Sequence, residues 1–165
     1  MTTAAGNPSS QAINTADLYD ERGEELASIS LQFQSLGGRS HFSGQVRTIR
    51  CFQDNALVKS TLATPGHGHV LVVDGGGSLS TALMGDMIAE SAVANGWAGV
   101  VINGAIRDRE AISQLDLGVK ALGSNPRKSA KDGVGEVDVD VVIDGVAIRT
   151  GATIWCDPDG ILVEQ

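Results

Sequence analysis

The sequence predicts an α/β fold organised as a single domain, and three observations carry that expectation. A short apolar run at residues 69–73 ends in Asp74 and the glycine-rich turn Gly75-Gly76-Gly77-Ser78. Met84, Met87, Ile88, Ser91 and Ala92 then recur at helical spacing, and Asn95-Gly96 closes the helix before a second apolar run at 99–102. Strand, helix, strand in that order is a βαβ unit, which implies a parallel pair with a crossover. The end of the chain differs: residues 137–143 alternate, Asp144-Gly145 is a type I′ hairpin signal, and residues 152–156 and 161–163 flank Asp157-Pro158-Asp159-Gly160 as a second hairpin. A central βαβ unit with a β-rich C-terminal part is therefore expected.

The remaining elements follow in order. Residues 1–14 are small and polar and read as a disordered leader, with the domain at 15–165. Thr15 is placed to cap a short acidic helix through Asp17, Leu18, Tyr19 and Glu24. After the turn Gly37-Gly38-Arg39, residues 42–51 form a strand carrying Val46, Ile49 and Cys51. Asn55 starts a helix through Ala56, Leu57, Val58 and Leu62, which Pro65-Gly66-His67-Gly68 ends. A short helix near 109–115 and a strand near 119–122 extend the alternating pattern.

With 165 residues, 42% hydrophobic and 19% charged, the chain can bury a sizeable core. A net charge of −8 argues against an electrostatic grip on nucleic acid, and a small anionic substrate would need a local positive site. Cys51 and Cys156 form no C-x-x-C, so zinc and redox motifs find no support. Residues 1–11 lack the regions of a signal peptide and no apolar run reaches membrane-spanning length, so a cytoplasmic protein is expected.

Several motifs invite chemistry and fall short of it. The glycine turn could cradle a phosphate or an adenosyl cofactor, but the dinucleotide pattern requires glycine where Ser80 stands and an acid where Asn103 stands. It reads as a tight turn with close packing. His67 and His69 form an H-x-H with no third ligand nearby, no G-x-S-x-G elbow exists, and the basic run at 127–131 reads as a solvated face. The stronger constellation is Gly85-Asp86 at a helix start with Arg107-Asp108 after the next strand. Both lie where open α/β sheets place their sites. Helix N-terminal amides favour a carboxylate, Arg107 supplies a planar cationic fork, and Asp108 is a hard oxygen ligand suited to Mg²⁺ or Mn²⁺. Spacing alone leaves a structural use open, with Asp86 as a cap and Arg107 and Asp108 in surface ion pairs.

Asp86 stands twenty residues ahead of Arg107-Asp108, and this D-x20-R-D pattern resembles the signature of the class II 4-hydroxy-4-methyl-2-oxoglutarate aldolases and the related RraA regulators of ribonuclease E. The similarity runs from about Gly37 to Val163. It includes G-G-R-S-x-F-x-G at 37–44, C-F-Q-D-N at 51–55, V-V-D-G-G-G-S at 72–78, N-G-A-I-R-D at 103–108, K-A-L-G-S-N-P-R-K-S at 120–129 and D-P-D-G-I-L-V at 157–163. The resemblance implies a β/β/α swivelling domain that assembles as a homotrimer with sites between subunits. It further implies Asp108 as ligand of a divalent cation and Arg107 as a substrate contact. The amides of Gly85, Asp86, Met87 and Ile88 would hold a carboxylate, and Asp86 would act through a water on the cation. The implied activity is cleavage of 4-hydroxy-4-methyl-2-oxoglutarate to two pyruvates, with decarboxylation of oxaloacetate through the same pyruvate enolate. The alternative it implies is a regulator that binds ribonuclease E without catalysis. Two departures from the longer aldolases are visible: the chain ends at Gln165 without their C-terminal extension, and Ala152 follows Gly151 where they carry an acid. Some related sequences bear a menaquinone-pathway methyltransferase label, which the incomplete cofactor turn speaks against.

Overall fold

The computed structural model describes residues 13–165. The expected leader lies outside that range except for Ile13 and Asn14, and Asn14 already belongs to the first helix. Asn14 is the N-cap of α1 (Thr15–Arg22), its side chain accepting the Asp17 N–H at 3.2 Å. Thr15, the expected cap, is instead buried inside the helix start, where its N–H and Oγ1 each donate to Asp157 at 2.7 Å. That partner is 142 residues away and no local pattern announces it.

A 3-10 turn at Gly23–Glu25 leads to β1 (Leu26–Ile29) and β2 (Gln34–Ser35), two short strands without a sequence signal. Then come β3 (Phe42–Arg50), α2 (Ala56–Leu62) and β4 (Val70–Asp74), close to expectation. The central helix starts later than its periodicity implied. Met84 ends a short strand, β5 (Ala82–Met84), and only after Gly85 does α3 (Asp86–Ala94) begin. Met84 keeps the helical spacing because the same buried face continues from strand into helix. Next are β6 (Gly99–Ile106), α4 (Arg109–Ile112), shorter than expected, and β7 (Gly118–Ser124). The alternating run at 137–143 is broken into β8 (Glu136–Val137) and β9 (Val141–Ile143). The break falls at Asp138, whose φ of 59° leaves the strand region and whose carboxylate takes a two-pronged hydrogen bond from Arg47 at 3.1 and 2.9 Å. β10 (Val146–Ile148) pairs with β9 through Asp144 and Gly145 at φ 53° and 76°, as a type I′ turn requires. β11 (Thr153–Asp157) and β12 (Gly160–Glu164) form the last hairpin.

The main sheet has the order β1-β12-β11-β3-β4-β6-β7-β2, with β5 added on β6 and β8 on β3. β3 joins two regimes. Its first half, Phe42 to Gln45, pairs antiparallel with β11, and its second half, Val46 to Arg50, pairs parallel with β4. The expected parallel pair of the βαβ unit is β4 with β6, in register from Val70↔Gly99 to Asp74↔Asn103.

Strand periodicity sorts the core into two layers. Leu71, Val73, Val100 and Ile102 face α2 and α3, meeting Val58, Leu62, Ile88, Ala89 and Ala92. Their neighbours Val70, Val72 and Val101 face the other way, onto Phe42, Ile143, Ile148, Ile154, Ile161 and Val163. Each such fully buried aliphatic side chain contributes roughly 1.5–3 kcal/mol. The architecture is therefore β/β/α. No helix among the described residues is long and apolar enough to cross a membrane.

One buried polar group ties the layers together. Lys120 is 2% exposed and donates to the Asp157 carbonyl at 2.7 Å, while burial pushes its pKa down against the pull of Cys156 and Asp157. Burial raises the Asp157 pKa, but Thr15, Asp159 and Gly160 donate to its carboxylate and hold it below the usual range. A depressed carboxylate pKa stabilises the fold above the unfolded value of about 4, and that stability is lost as pH falls through the folded value. Asp157→Asn should cost about 1.5–3 kcal/mol at pH 7 and flatten the loss of stability below about pH 4. Urea midpoints from pH 7 to pH 3 test this, and an unchanged acid slope would sink it.

Candidate active site

The carboxyl ends of β5 and β6 bring the three sequence-selected residues together. β5 ends at Met84, so Gly85 and Asp86 open α3 beside it, and β6 ends at Ile106, so Arg107 and Asp108 emerge next door. The Arg107 N–H donates to the Met84 carbonyl at 2.9 Å, which fixes the two connections against each other. Asp108 adopts φ 61°, ψ 45°, a left-handed conformation that aspartate tolerates better than most residues. This turns its carboxylate back toward α3, where Oδ2 accepts the Asp86 N–H at 3.0 Å. The cap of α3 thus comes from Asp108 across the site, and the Gly85 and Asp86 side of the pair supplies the backbone.

This arrangement revises one expected role. Of the amides expected to hold a carboxylate, that of Asp86 is already engaged by Asp108. Those of Met87 and Ile88 remain in the first turn without an intrahelical acceptor. Met87 is 80% exposed and Ile88 is buried, so the helix start is open on one side and anchored on the other. Gly85 is needed for the close approach: a β-carbon there would sit 2.8 Å from Asp108 Oδ2 and 3.2 Å from Arg107 Nε.

Arg107 is loosely held. Its Nε lies 4.0 Å from Asp108 Oδ2, both side chains are more than a third exposed, and Nη1 reaches the Pro126 carbonyl at 3.5 Å. Such a pair contributes little to stability and leaves the guanidinium available to an anion. Asp86, Arg107 and Asp108 form the ridge between two depressions of about 230 and 570 Å³.

The smaller depression contains groups that spacing did not select. Lys59 of α2 and Lys128 and Lys131 line it, together with Asn55. The basic run at 127–131, expected as a solvated face, therefore divides. Ser129 is buried, donating to the Ala82 carbonyl at 2.7 Å and bonded to the Thr81 hydroxyl, while Lys128 and Lys131 turn to the cavity. Only a tertiary strap makes this possible, because Ala82 N–H donates to the Arg127 carbonyl and Asn55 N–H to the Ala130 carbonyl. Four cations against two carboxylates make the cavity locally positive in a chain of charge −8.

Two carboxylates with no thiolate or imidazole in the cavity are a hard donor set, of the kind Mg²⁺ and Mn²⁺ take while keeping several waters. Asp108 Oδ1 has no hydrogen-bond partner among the described residues, so these residues fit a divalent cation. Among the described residues no cluster of three or more His, Cys, Asp or Glu gathers, and His67 with His69 stays a pair. The glycine turn has spent its amides internally: Gly75 and Gly77 donate to Asn103 O, Gly76 to Asp74 Oδ1 and Ser78 to Gly75 O. It is a packed turn with no cradle for a phosphate. Both cysteines are buried, and burial, with Asp54 and Asp74 adding to it, pushes the Cys51 thiol up to about 12. Burial therefore disfavours the thiolate form of both cysteines.

Fold and site together define a β/β/α protein with a locally positive cavity at the ends of its parallel strands. The RraA-like family model, described as Aldolase/RraA, matches residues 15–163, and the chain belongs to that family. Among solved structures it is similar to the RNA-processing inhibitor RraA from Thermus thermophilis, at 47% identity over 93% of each chain with a TM-score of 0.90. It is similar too to a protein described as S-adenosylmethionine:2-dimethylmenaquinone methyltransferase from Geobacillus kaustophilus, at 45% identity over 92% of this chain and 94% of that one, TM-score 0.91. A third is Streptomyces coelicolor RraAS2, described as an unusual member of the RNase ES inhibitor RraA family, at 28% identity over 90% and 76%, TM-score 0.72.

Proposed function

We propose that the chain is a divalent-cation-dependent lyase that releases pyruvate from small α-keto acids, cleaving 4-hydroxy-4-methyl-2-oxoglutarate and decarboxylating oxaloacetate. The observation that carries this reading is the convergence of Asp86, Arg107 and Asp108 with the open first turn of α3 beside a locally positive cavity. Asp108 would hold the cation, which supplies Lewis-acid polarisation of the keto group when bound. The amides of Met87 and Ile88 receive the carboxylate next to that keto group. Arg107 places its planar cation where the enolate oxygen develops, a placement that favours the transition state over the ground state. Asp86 is the carboxylate positioned to take up a proton, acting through water.

Retro-aldol cleavage requires removal of a hydroxyl proton, whereas decarboxylation does not. Asp86 reaches that proton only through water and decarboxylation does without it, so oxaloacetate should be the faster substrate. Pyruvate release from both acids at saturating Mg²⁺ tests this, and a faster aldol reaction would contradict it. Chelation by EDTA should stop both reactions, and undiminished turnover would remove the cation from the reading. The assembly we propose is a homotrimer, and light scattering on the same samples should give three chain masses, with monomer alone as the contrary result.

The second reading is a regulator that docks on a ribonuclease E-like protein. Its support is the 47% identity to an RNA-processing inhibitor. Absent pyruvate release together with inhibition of a purified ribonuclease E would favour it.

A further inference from the structure

The lysines of the cavity come from two separate elements that share one buried anchor. Asp54 precedes α2 and is 4% exposed. Its Oδ1 accepts the N–H groups of Ala56 at 3.1 Å and Gly133 at 3.2 Å, and its Oδ2 accepts those of Asp132 at 3.0 Å and Val134 at 3.2 Å. Ala56 starts the helix that bears Lys59, and Asp132 to Val134 close the strap that bears Lys128 and Lys131. The reciprocal bonds of Asn55 N–H to Ala130 O and Ala130 N–H to Gln53 O, at 3.0 and 2.9 Å, lay the strap beside the residues around Asp54. With two donors on each oxygen, the carboxylate is fully occupied and does not reach a ligand.

The charges carried by the two anchored elements bear on what this anchor serves. Among the described residues, Lys59, Lys128 and Lys131 form no salt bridge, so their charge has no protein counterpart. Asn55 lines the same cavity, is 6% exposed, and its Oδ1 has no hydrogen-bond partner although the residue stands at the N-cap of α2. That oxygen only accepts and is closed off from the cavity, so the group of Asn55 able to meet an anion is its amide nitrogen, which donates.

We propose that Asp54 is the positioning residue of a second anion-binding wall, formed by Lys59, Lys128, Lys131 and Asn55, which takes the far anionic group of a dianionic keto acid. The inference rests on the lyase reading for the near carboxylate, which sits at the start of α3. The lysine wall supplies a counter-charge for the far carboxylate, and Asn55 Nδ2 is the amide group that donates a hydrogen bond to it. Asp54 acts only through geometry, by keeping α2 and the strap in one register.

The test compares Asp54→Asn with the wild type in calorimetric titrations of pyruvate, a monoanion, and 2-oxoglutarate, a dianion that lacks the hydroxyl needed for cleavage, both with Mg²⁺. An amide at position 54 keeps one acceptor oxygen and turns an NH₂ group toward two N–H donors, so the strap should shift. Affinity for 2-oxoglutarate should fall about tenfold, the loss of one charge-assisted contact, while affinity for pyruvate stays within about twofold. The double substitution Lys128→Met, Lys131→Met should give the same split without touching the anchor. In turnover of oxaloacetate, Asp54→Asn should raise KM and leave kcat nearly unchanged. Equal losses for both acids, or no loss, would overturn the positioning role, as would an unfolded Asp54→Asn by circular dichroism, which would make the residue a determinant of the fold alone. Failure of the wild type to bind either acid would instead remove the keto-acid reading on which the proposal rests.

Discussion

Asp108→Ala is expected to abolish cation-dependent pyruvate release, the largest effect of any single substitution in the site. It removes the carboxylate that faces the cavity and, with it, the acceptor for the Asp86 N–H at the start of α3. Alanine also fits poorly at φ 61°, where a left-handed backbone costs roughly 1–2 kcal/mol. Asp108→Asn separates these contributions, because asparagine tolerates the same backbone and can still accept the Asp86 N–H. Its circular dichroism and melting temperature should match the wild type while pyruvate release is lost. Asp86→Asn should be milder, since the group acts through water and an amide still accepts a hydrogen bond. Full activity in Asp108→Asn would show that the charge of Asp108 is not used.

Arg107→Lys should lower kcat/KM on the order of a hundredfold, about 3 kcal/mol, although the charge is kept. Lysine presents a point charge on a flexible stem and cannot match two oxygens with a planar fork. The neighbouring Gly85→Ala should act on the same geometry from the backbone side. Its β-carbon would crowd Asp108 Oδ2 at 2.8 Å and Arg107 Nε at 3.2 Å, and both side chains are exposed enough to move. The clash is therefore relieved by displacing functional groups, with stability changed by less than about 1 kcal/mol. We expect a loss of at least tenfold in kcat/KM for Gly85→Ala with an intact fold. Steady-state kinetics with oxaloacetate decide both cases, and wild-type values in either variant would show that this alignment is not required.

How far the sequence could be read depended on the range of the interaction involved. The βαβ unit was legible because apolar periodicity and the stops at Gly75 and Gly96 are local. Asp144-Gly145 was legible because a two-residue turn needs φ > 0 at both positions. β1, β2 and β5 were not, since strands of two to four residues carry too few side chains for a pattern and exist through distant partners such as Glu164, Ala121 and Ile106. The same limit shifted the cap of α1 from Thr15 to Asn14, because the hydrogen bonds of Thr15 to Asp157 are wholly non-local.

The chain's own pattern determined the α/β alternation, the locally expected turns, and the placement of Asp86 and Arg107-Asp108 after successive strands, since each depends on spacing between near neighbours. Tertiary structure alone decided that Lys59, Lys128 and Lys131 share a cavity with them, that Asp54 anchors the elements which carry those lysines, and that Asp108 caps α3. These are contacts between segments far apart in the chain. Charge and burial at such contacts are set by what the fold brings alongside, and a solvated lysine and a cavity-lining lysine have the same sequence signature.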